Sequence, residues 1–363
     1  CALPIFISPM LDATTVQSLV PDQRRHQFSD ARGEWLPLTS ADSRIRLLRL
    51  DDGRTIIVPT ANAGESRARA GDDVAVSVWR NAPNGFEWHR FSQAAVKSER
   101  AFEVDQTNES IMLDDSAVFK WQLFAQASVA PEKEQLLHQA GFAHTPQLCG
   151  HLVHIDSGDL IASVVGFIPD STDGWTWCPA ALAAGQTRWA TQLGVITAQM
   201  HRALRAGRTS SYPAGGAPVP ALEGVLTHIV HGDFHVGQIL KSDAGMFVID
   251  FDGDPLASFE QKFACQSPLL DVASMSASFI HAGMVSIKSG ANRDAVCTAI
   301  KQARAEFEIA YSAHSAIDID ESALDELVLQ IEQRELVYAR EYLPRWLYAP
   351  EGALEYLKEF HGR

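Results

Sequence analysis

Cysteine is scarce in this chain. Its five cysteines, Cys1, Cys149, Cys178, Cys265 and Cys297, are scattered and odd in number, and no CxxC pair occurs. That pattern argues against a disulfide framework and a zinc site, and for a reducing compartment. Positive charge is in deficit: 30 Lys and Arg stand against 45 Asp and Glu, a net charge of −15. Nucleic-acid binding is not expected, because phosphate contacts need Lys and Arg. Long apolar runs are missing as well. Mean hydropathy is −0.07, and no run approaches the roughly 20 residues of a membrane helix. The opening CALPIFISPM is apolar but short, with no basic n-region and no clear cleavage site. It is not read as a signal peptide, and Met10 is a candidate start. No internal repeat is found. These absences lead us to expect a cytoplasmic enzyme acting on a neutral or cationic small molecule, with no membrane partner, as a monomer or weak dimer.

What is present is enough chain for a large core: 363 residues, 46% of them hydrophobic. Two or three subdomains are expected. Residues 45–50, 55–58 and 74–79 read as short strands between Gly-containing turns, which predicts an all-β cap. Residues 111–113 and 117–121 flank Asp114-Asp115, a hairpin signal. Pro131 opens a short helix and Gly141 closes it. Residues 160–168 read as a buried strand. Trp189, Leu193, Ile196, Met200 and Leu204 recur at helical spacing, and helices are expected from about residue 269 onward.

The chemistry concentrates in His231-Gly-Asp-Phe-His-Val-Gly-Gln238 and Val248-Ile-Asp-Phe-Asp252. Gly232 permits a sharp turn that presents Asp233 on a loop. Gln238 lies five residues on, and Ser242-Asp-Ala-Gly245 turns the chain into a strand that ends at Asp250. Phosphoryl transfer needs these residue types in this order. One Asp orients the attacking hydroxyl and accepts its proton, while an amide oxygen and a second Asp hold Mg²⁺ against a triphosphate. Asp252 offers a further metal contact. A zinc reading of His231 and His235 is weaker, because both fall on a loop and no third ligand stands out.

Lys120, in an apolar strand, is the expected phosphate contact, although alone it would read as a surface lysine. Its acidic partner should come from the next helix. Glu132 and Glu134 are candidates, and Glu132 is preferred for sharing a face with Leu136. No Gly-rich loop precedes Lys120; residues 105–110, ending in Ser110, take its place. Near the C-terminus, Leu324, Leu327, Val328, Ile331, Glu335, Tyr338 and Tyr342 fall on one helical face. Glu335 is the anomaly there, a carboxylate in an apolar stripe that must be paired or bind something. Trp346 offers a flat wall for a sugar ring, or a core residue. A cationic amino sugar would suit Glu335 or Glu341.

HGDFHVGQ, VIDFDGDP and SPLLDVASM resemble the maltokinase-like branch of the aminoglycoside-phosphotransferase-like kinases. Within it, VDQTNESIMLDDSAVFKW and QIEQRELVYAREYLPRWLYAP look more like bacterial glucosamine kinases. The resemblance covers most of the chain. It implies an α+β, two-lobed, protein-kinase-like fold with an N-terminal β-rich cap. The cap would span 1–95, an intermediate subdomain with the ATP-binding sheet and hinge 96–168, and a helical C-lobe with the catalytic loop and sugar site 169–363. It implies ATP and Mg²⁺ as cofactors, Asp233 as base and Gln238 and Asp250 as metal ligands. Lys120, Glu132 and Ser110 then serve the phosphates, and Val165 and Phe167 the adenine hinge. His235, Glu335, Tyr338, Glu341 and Trp346 are placed with the sugar, and Asp271 holds the catalytic loop. At the hinge the chain has Val-Val-Gly-Phe where maltokinases have Gln-Glu before the aromatic. The implied reaction is D-glucosamine to glucosamine 6-phosphate. Maltose phosphorylation, aminoglycoside phosphorylation and a non-catalytic pseudokinase are the alternatives.

Overall fold

The computed structural model describes residues 10–37, 42–61, 66–93, 95–102, 109–211, 226–255, 257–315, 317 and 319–361. The chain forms two compact units, Cys1–Ser128 with Gln147–Phe167, and Val129–Pro146 with Ile168–Arg363.

The first unit carries α1 (Ala13–Ser18), β1 (Gly33–Trp35), β2 (Ile45–Leu50), β3 (Thr55–Ala61), β4 (Ser66–Arg67) and α2 (Val74–Arg80). It continues with β5 (Phe86–Arg90), β6 (Glu99–Ala101), β7 (Glu109–Leu113), β8 (Ala117–Gln126), β9 (Leu148–His154) and β10 (Leu160–Gly166). These strands form one antiparallel sheet with the main path β1-β2-β3-β8-β10-β9-β5. The sheet runs across residue 95, because β3 pairs with β8 at Ile56↔Phe124. The β7–β8 hairpin turns where its motif predicts: between paired Leu113 and Ala117, Asp114 and Asp115 hold φ of 45° and 51°, and the Ser116 N–H closes the turn on the Leu113 carbonyl at 3.0 Å.

One predicted strand is a helix. Val74–Arg80 forms α2, with Val74, Ala75, Val76, Val78 and Trp79 all buried. A short apolar run buried on nearly every side has no readable period, so tertiary packing decides it. With α1 and α2 present, the N-terminal region is β-rich rather than all-β.

The second unit holds α3 (Ala130–Gln139), α4 (Gly174–Ala183), α5 (Trp189–Leu204), β11 (Thr209–Ser211), β12 (Leu226–His228), β13 (Ile239–Ser242) and β14 (Gly245–Val248). Helices α6 (Phe259–Phe263), α7 (Pro268–Lys288), α8 (Arg293–Ser315), α9 (Glu321–Tyr342) and α10 (Tyr348–His361) complete it. Its core is an aromatic chain of near-perpendicular rings, Trp177–Trp189–Phe279–Phe307, with centroids 5.1, 4.9 and 5.5 Å apart. α7, at 21 residues, is long and apolar enough by composition to cross a membrane, which corrects the expectation that no run approaches that length; 78% of its apolar window is buried within the molecule. The chain is thus α+β, an antiparallel sheet followed by a helical region.

Candidate active site

The loop between β12 and β13 carries the His231–Gln238 block, and several long-range contacts fix it. Asp271, in the first turn of α7, is fully buried and accepts from the backbone N–H of His231 at 2.7 Å and of Gly232 at 2.9 Å. The His201 ring, from α5, lies 3.0 Å from the same carboxylate, with Tyr311 behind it at 2.9 Å. Gly232 takes φ 85°, which allows the turn. The His231 ring bridges to the Ile249 carbonyl at 3.0 Å and receives the Asp233 N–H at 3.3 Å. Both its nitrogens are thereby engaged, which leaves none for a zinc ion. Beneath the loop, Gly174 of α4 makes room for the backbone: a Cβ there would stand 1.7 Å from the Val236 carbonyl.

Asp233 is half-buried, with His235 Nε2 at 3.8 Å from its Oδ1. Burial first, then the fields of Asp254, Asp250, Glu335 and Asp271, push the Asp233 carboxyl up to about 7. Burial and the neighbouring His231 bring the His235 imidazole down to about 4, so it is neutral near pH 7. Gln238 is buried, its amide nitrogen 3.4 Å from His235 Nε2. Asp250 follows β14 in the left-handed region, φ 63°. Asp254 donates its N–H to the Gly232 carbonyl at 3.1 Å, and Arg334 of α9 reaches its carboxylate at 3.9 Å.

The sugar-side residues are divided by the fold. Trp346 packs edge-on against Trp175 at 5.3 Å, and Trp175 lies 5.8 Å from the His235 ring. Glu335 is close enough to raise Asp233. Tyr338 lies 5.1 Å from Tyr342. Glu341 is exposed, beside an exposed Tyr342. The expectation that Glu335 is the carboxylate buried in the apolar stripe is corrected. Glu335 is only half-buried, whereas Glu332 is fully buried against His281. The buried face follows the expected residues through Val328 and then passes through Glu332 and Ala339 in place of Ile331, Glu335 and Tyr338.

In the first unit, Ser110, Lys120 and Ser163 stand opposite one another on β7, β8 and β10, and Val118 faces Val165 one step along. Alternation puts this row on the sheet face opposite Phe119 and Trp121, which are core. Phe167 continues from β10, its N–H bonded to the Ser116 carbonyl at 2.9 Å. The expected phosphate cover at 105–110 lies outside the described residues except for Glu109 and Ser110. Glu132, in α3 of the second unit, holds Arg208 with both oxygens, at 3.0 and 3.1 Å. Arg208 in turn stacks on Phe263. Nothing in the local sequence pointed to that pairing.

No protein-family model matches the sequence. Individual relatives do. The chain is 34% identical over 367 aligned positions to a glucosamine kinase of Streptacidiphilus jiangxiensis, covering 82% of this chain and 84% of the relative. It is 32% identical to the glucosamine kinase of Mycolicibacterium smegmatis, over 73% and 80% of the two chains. The chain belongs to the glucosamine kinase family. Its fold agrees: a glucosamine kinase crystal structure superposes with a TM-score of 0.74, at 29% identity over 90% of this chain and 94% of the other. A second, in complex with glucosamine, ADP and inorganic phosphate, gives 0.72 at 28% identity, over 90% and 93%. The protein is therefore a kinase.

One residue of this kinase escaped the sequence reading. Lys133 of α3 is 1% exposed, and its Nζ donates to the His231 carbonyl at 2.7 Å. Burial lowers its ammonium to about 8, against the fields of Asp271, Asp252 and Asp233. A lysine one position from Glu132 in a helix N-terminus looks like a solvated charge, and only the return of the chain 98 residues later encloses it. Lys133 braces the turn from behind and gives the acidic loop a cation. Lys133→Met is expected to lower kcat about tenfold, measured by steady-state ADP release. Unfolding stability should change by less than about 2 kcal/mol, because relief of a buried charge offsets the lost hydrogen bond.

Proposed function

We propose that this kinase transfers the γ-phosphoryl group of ATP to the 6-hydroxyl of D-glucosamine, giving glucosamine 6-phosphate and ADP. The observation that carries the reading is Asp233, a half-buried carboxyl pushed up to about 7 and lying in the field of Glu335. A carboxyl raised by burial and by neighbouring carboxylates is a stronger base than an ordinary aspartate and can accept the proton as the hydroxyl attacks. Asp233 orients the acceptor oxygen and takes its proton. The new O–P bond forms as the bond to the bridging oxygen of ADP breaks. Such transfer leaves little covalent work for the protein, so positioning and charge account for the rate.

Lys120 and Ser110 are assigned to the ATP phosphates, and Val165 and Phe167 to the adenine. Gln238 and Asp250 are assigned to Mg²⁺, with Asp252 as a further contact. This donor set is oxygen only. Oxygen donors fit a hard cation shared with phosphate oxygens. Bound there, the ion would offset charge developing on the phosphates. On the sugar, Glu335 is assigned to the ammonium, with His235, Trp346 and Tyr338 around the ring. The relative crystallised with glucosamine, ADP and inorganic phosphate supports both substrate assignments.

The test is ADP release from Mg-ATP with glucosamine, N-acetylglucosamine, glucose, maltose and kanamycin. Strong turnover with glucosamine alone is expected. Preferential turnover of maltose or kanamycin would discard the sugar assignment and keep the base. ATP binding with no turnover on any acceptor would overturn the reading.

A further inference from the structure

The least explained feature of the second unit is a buried ion pair. His281 of α7 and Glu332 of α9 meet at 2.7 Å between Nε2 and Oε2. Glu332 has no exposed surface, and its Oε1 has no hydrogen-bond partner among the described residues. Such a pair is a poor stabiliser. Desolvation consumes the Coulomb gain, an orphan oxygen adds to the cost, and apolar side chains of similar volume hold two helices at least as well. Burial opposes charge on His281, but the Glu332 carboxylate outweighs it and holds the imidazole above its ordinary range. Burial also pushes the Glu332 carboxyl up. The two groups are each other's hydrogen-bond partner in the interior. The charges that face them are Glu335 on the same helix and Arg304 on α8, with neutral His235 on the catalytic loop beyond.

The place of the pair along α9 gives it a use. The first half of the helix is buried through Leu324, Leu327 and Val328. After Glu332, no residue is buried until Ala339. Glu335 and Tyr338 lie in that interval. Glu335 stands three residues past Glu332, on the same side of the helix, and its charge reaches Asp233. The pair is therefore the last buried contact before the stretch beside Asp233, where the long, exposed Arg334–Asp254 contact at 3.9 Å intervenes. Apolar contacts tolerate rotation and sliding of a helix, whereas a short hydrogen bond between charged groups does not.

We infer that the His281–Glu332 pair is a positioning device for amino-sugar recognition, fixing the rotation of α9 so that Glu335 is held where the substrate's ammonium binds. The inference rests on the glucosamine reading above. Neither residue touches the sugar; both act through Glu335.

Three variants test it: His281→Gln, Glu332→Gln, and the double variant His281→Leu with Glu332→Met. The measurements are kcat, KM for glucosamine and for ATP, competitive inhibition by glucose (which lacks the ammonium), and thermal unfolding. In all three variants the glucosamine KM is expected to rise about tenfold, the scale of one misplaced charge-assisted hydrogen bond. The values for kcat, ATP KM and glucose inhibition should stay within about twofold, and the double variant should unfold no earlier than wild type. An unchanged glucosamine KM would overturn the inference. So would glucosamine and ATP KM values that rise together, the mark of general loosening. The wild-type control keeps the two readings apart. If wild type neither binds nor phosphorylates glucosamine, the substrate assignment fails first and takes this inference with it.

Discussion

Asp233→Asn is expected to lower kcat by about 10²- to 10⁴-fold, the range that a positioned general base contributes. The substitution keeps the shape of the side chain and its place on the Gly232 turn. It removes the ability to accept a proton. It also removes one negative charge from a group crowded by Asp254, Asp250, Glu335 and Asp271. The variant should therefore unfold at the same temperature as wild type or higher. Loss of turnover with gained stability separates a catalytic defect from a folding one. The pH profile supplies a second check. The Asp233 carboxyl sits at about 7, above the ordinary carboxylate value of 3.8. Its basic form is therefore lost as pH falls through 7, and the acid limb of kcat/KM should lie well above the usual carboxylate range. A cation at Asp250 cancels one of the fields that raise Asp233, so the limb should move to lower pH as Mg²⁺ increases. A limb that stays near pH 4 at every Mg²⁺ concentration would remove Asp233 from the role of base.

Asp271→Ala should give the largest loss of stability, about 3–5 kcal/mol. Two buried backbone N–H groups, those of His231 and Gly232, and the His201 ring would lose their acceptor together. Turnover should fall as well, because the turn that presents Asp233 loses its anchor. Denaturant unfolding and kcat measure the two effects. The sign of the linked pH effect follows from the direction of the shift. Burial raises the Asp271 carboxyl, but the His201 hydrogen bond and field bring it down to about 2. A depressed folded-state value contributes stability above the unfolded value of 3.8, lost as pH falls toward 2. That contribution is about 2 kcal/mol. Wild type should therefore weaken between about pH 4 and 2 more steeply than Asp271→Ala. Identical acid unfolding of the two proteins would show that Asp271 is not held as an anion.

Much of the site could be read without coordinates, because local rules carry it. Gly232 signals the turn, Ser242-Asp-Ala-Gly245 joins β13 to β14, and the spacing of Asp233, Gln238 and Asp250 is a property of that hairpin. The Asp114-Asp115 turn is similar, since positive φ at both positions is a demand on two adjacent residues. The α9 stripe was readable as a stripe but not in its phase. Leu324, Leu327 and Val328 are buried as their period predicts, yet the buried carboxylate is Glu332 and not Glu335. Helical period says which residues share a face. It does not say which one has a histidine from another helix opposite it.

The sequence by itself determined the local frame of the loop that carries Asp233 and Gln238, with its Gly232 turn and the β13–β14 hairpin after it. It did so because a kinase loop is specified by turn residues and short spacings, which act through the backbone of a few neighbouring positions. The tertiary structure alone decided which partner each of several charged side chains meets. Lys133 with the His231 carbonyl, Asp271 with His201, Glu332 with His281 and Glu132 with Arg208 join residues 98, 70, 51 and 76 positions apart. It also made Val74–Arg80 a helix where a short apolar run between turns suggested a strand. The cause is common to all of these. A side chain's burial and its partner are set by which segments pack around it, and a local stretch of sequence contains no record of its distant neighbours.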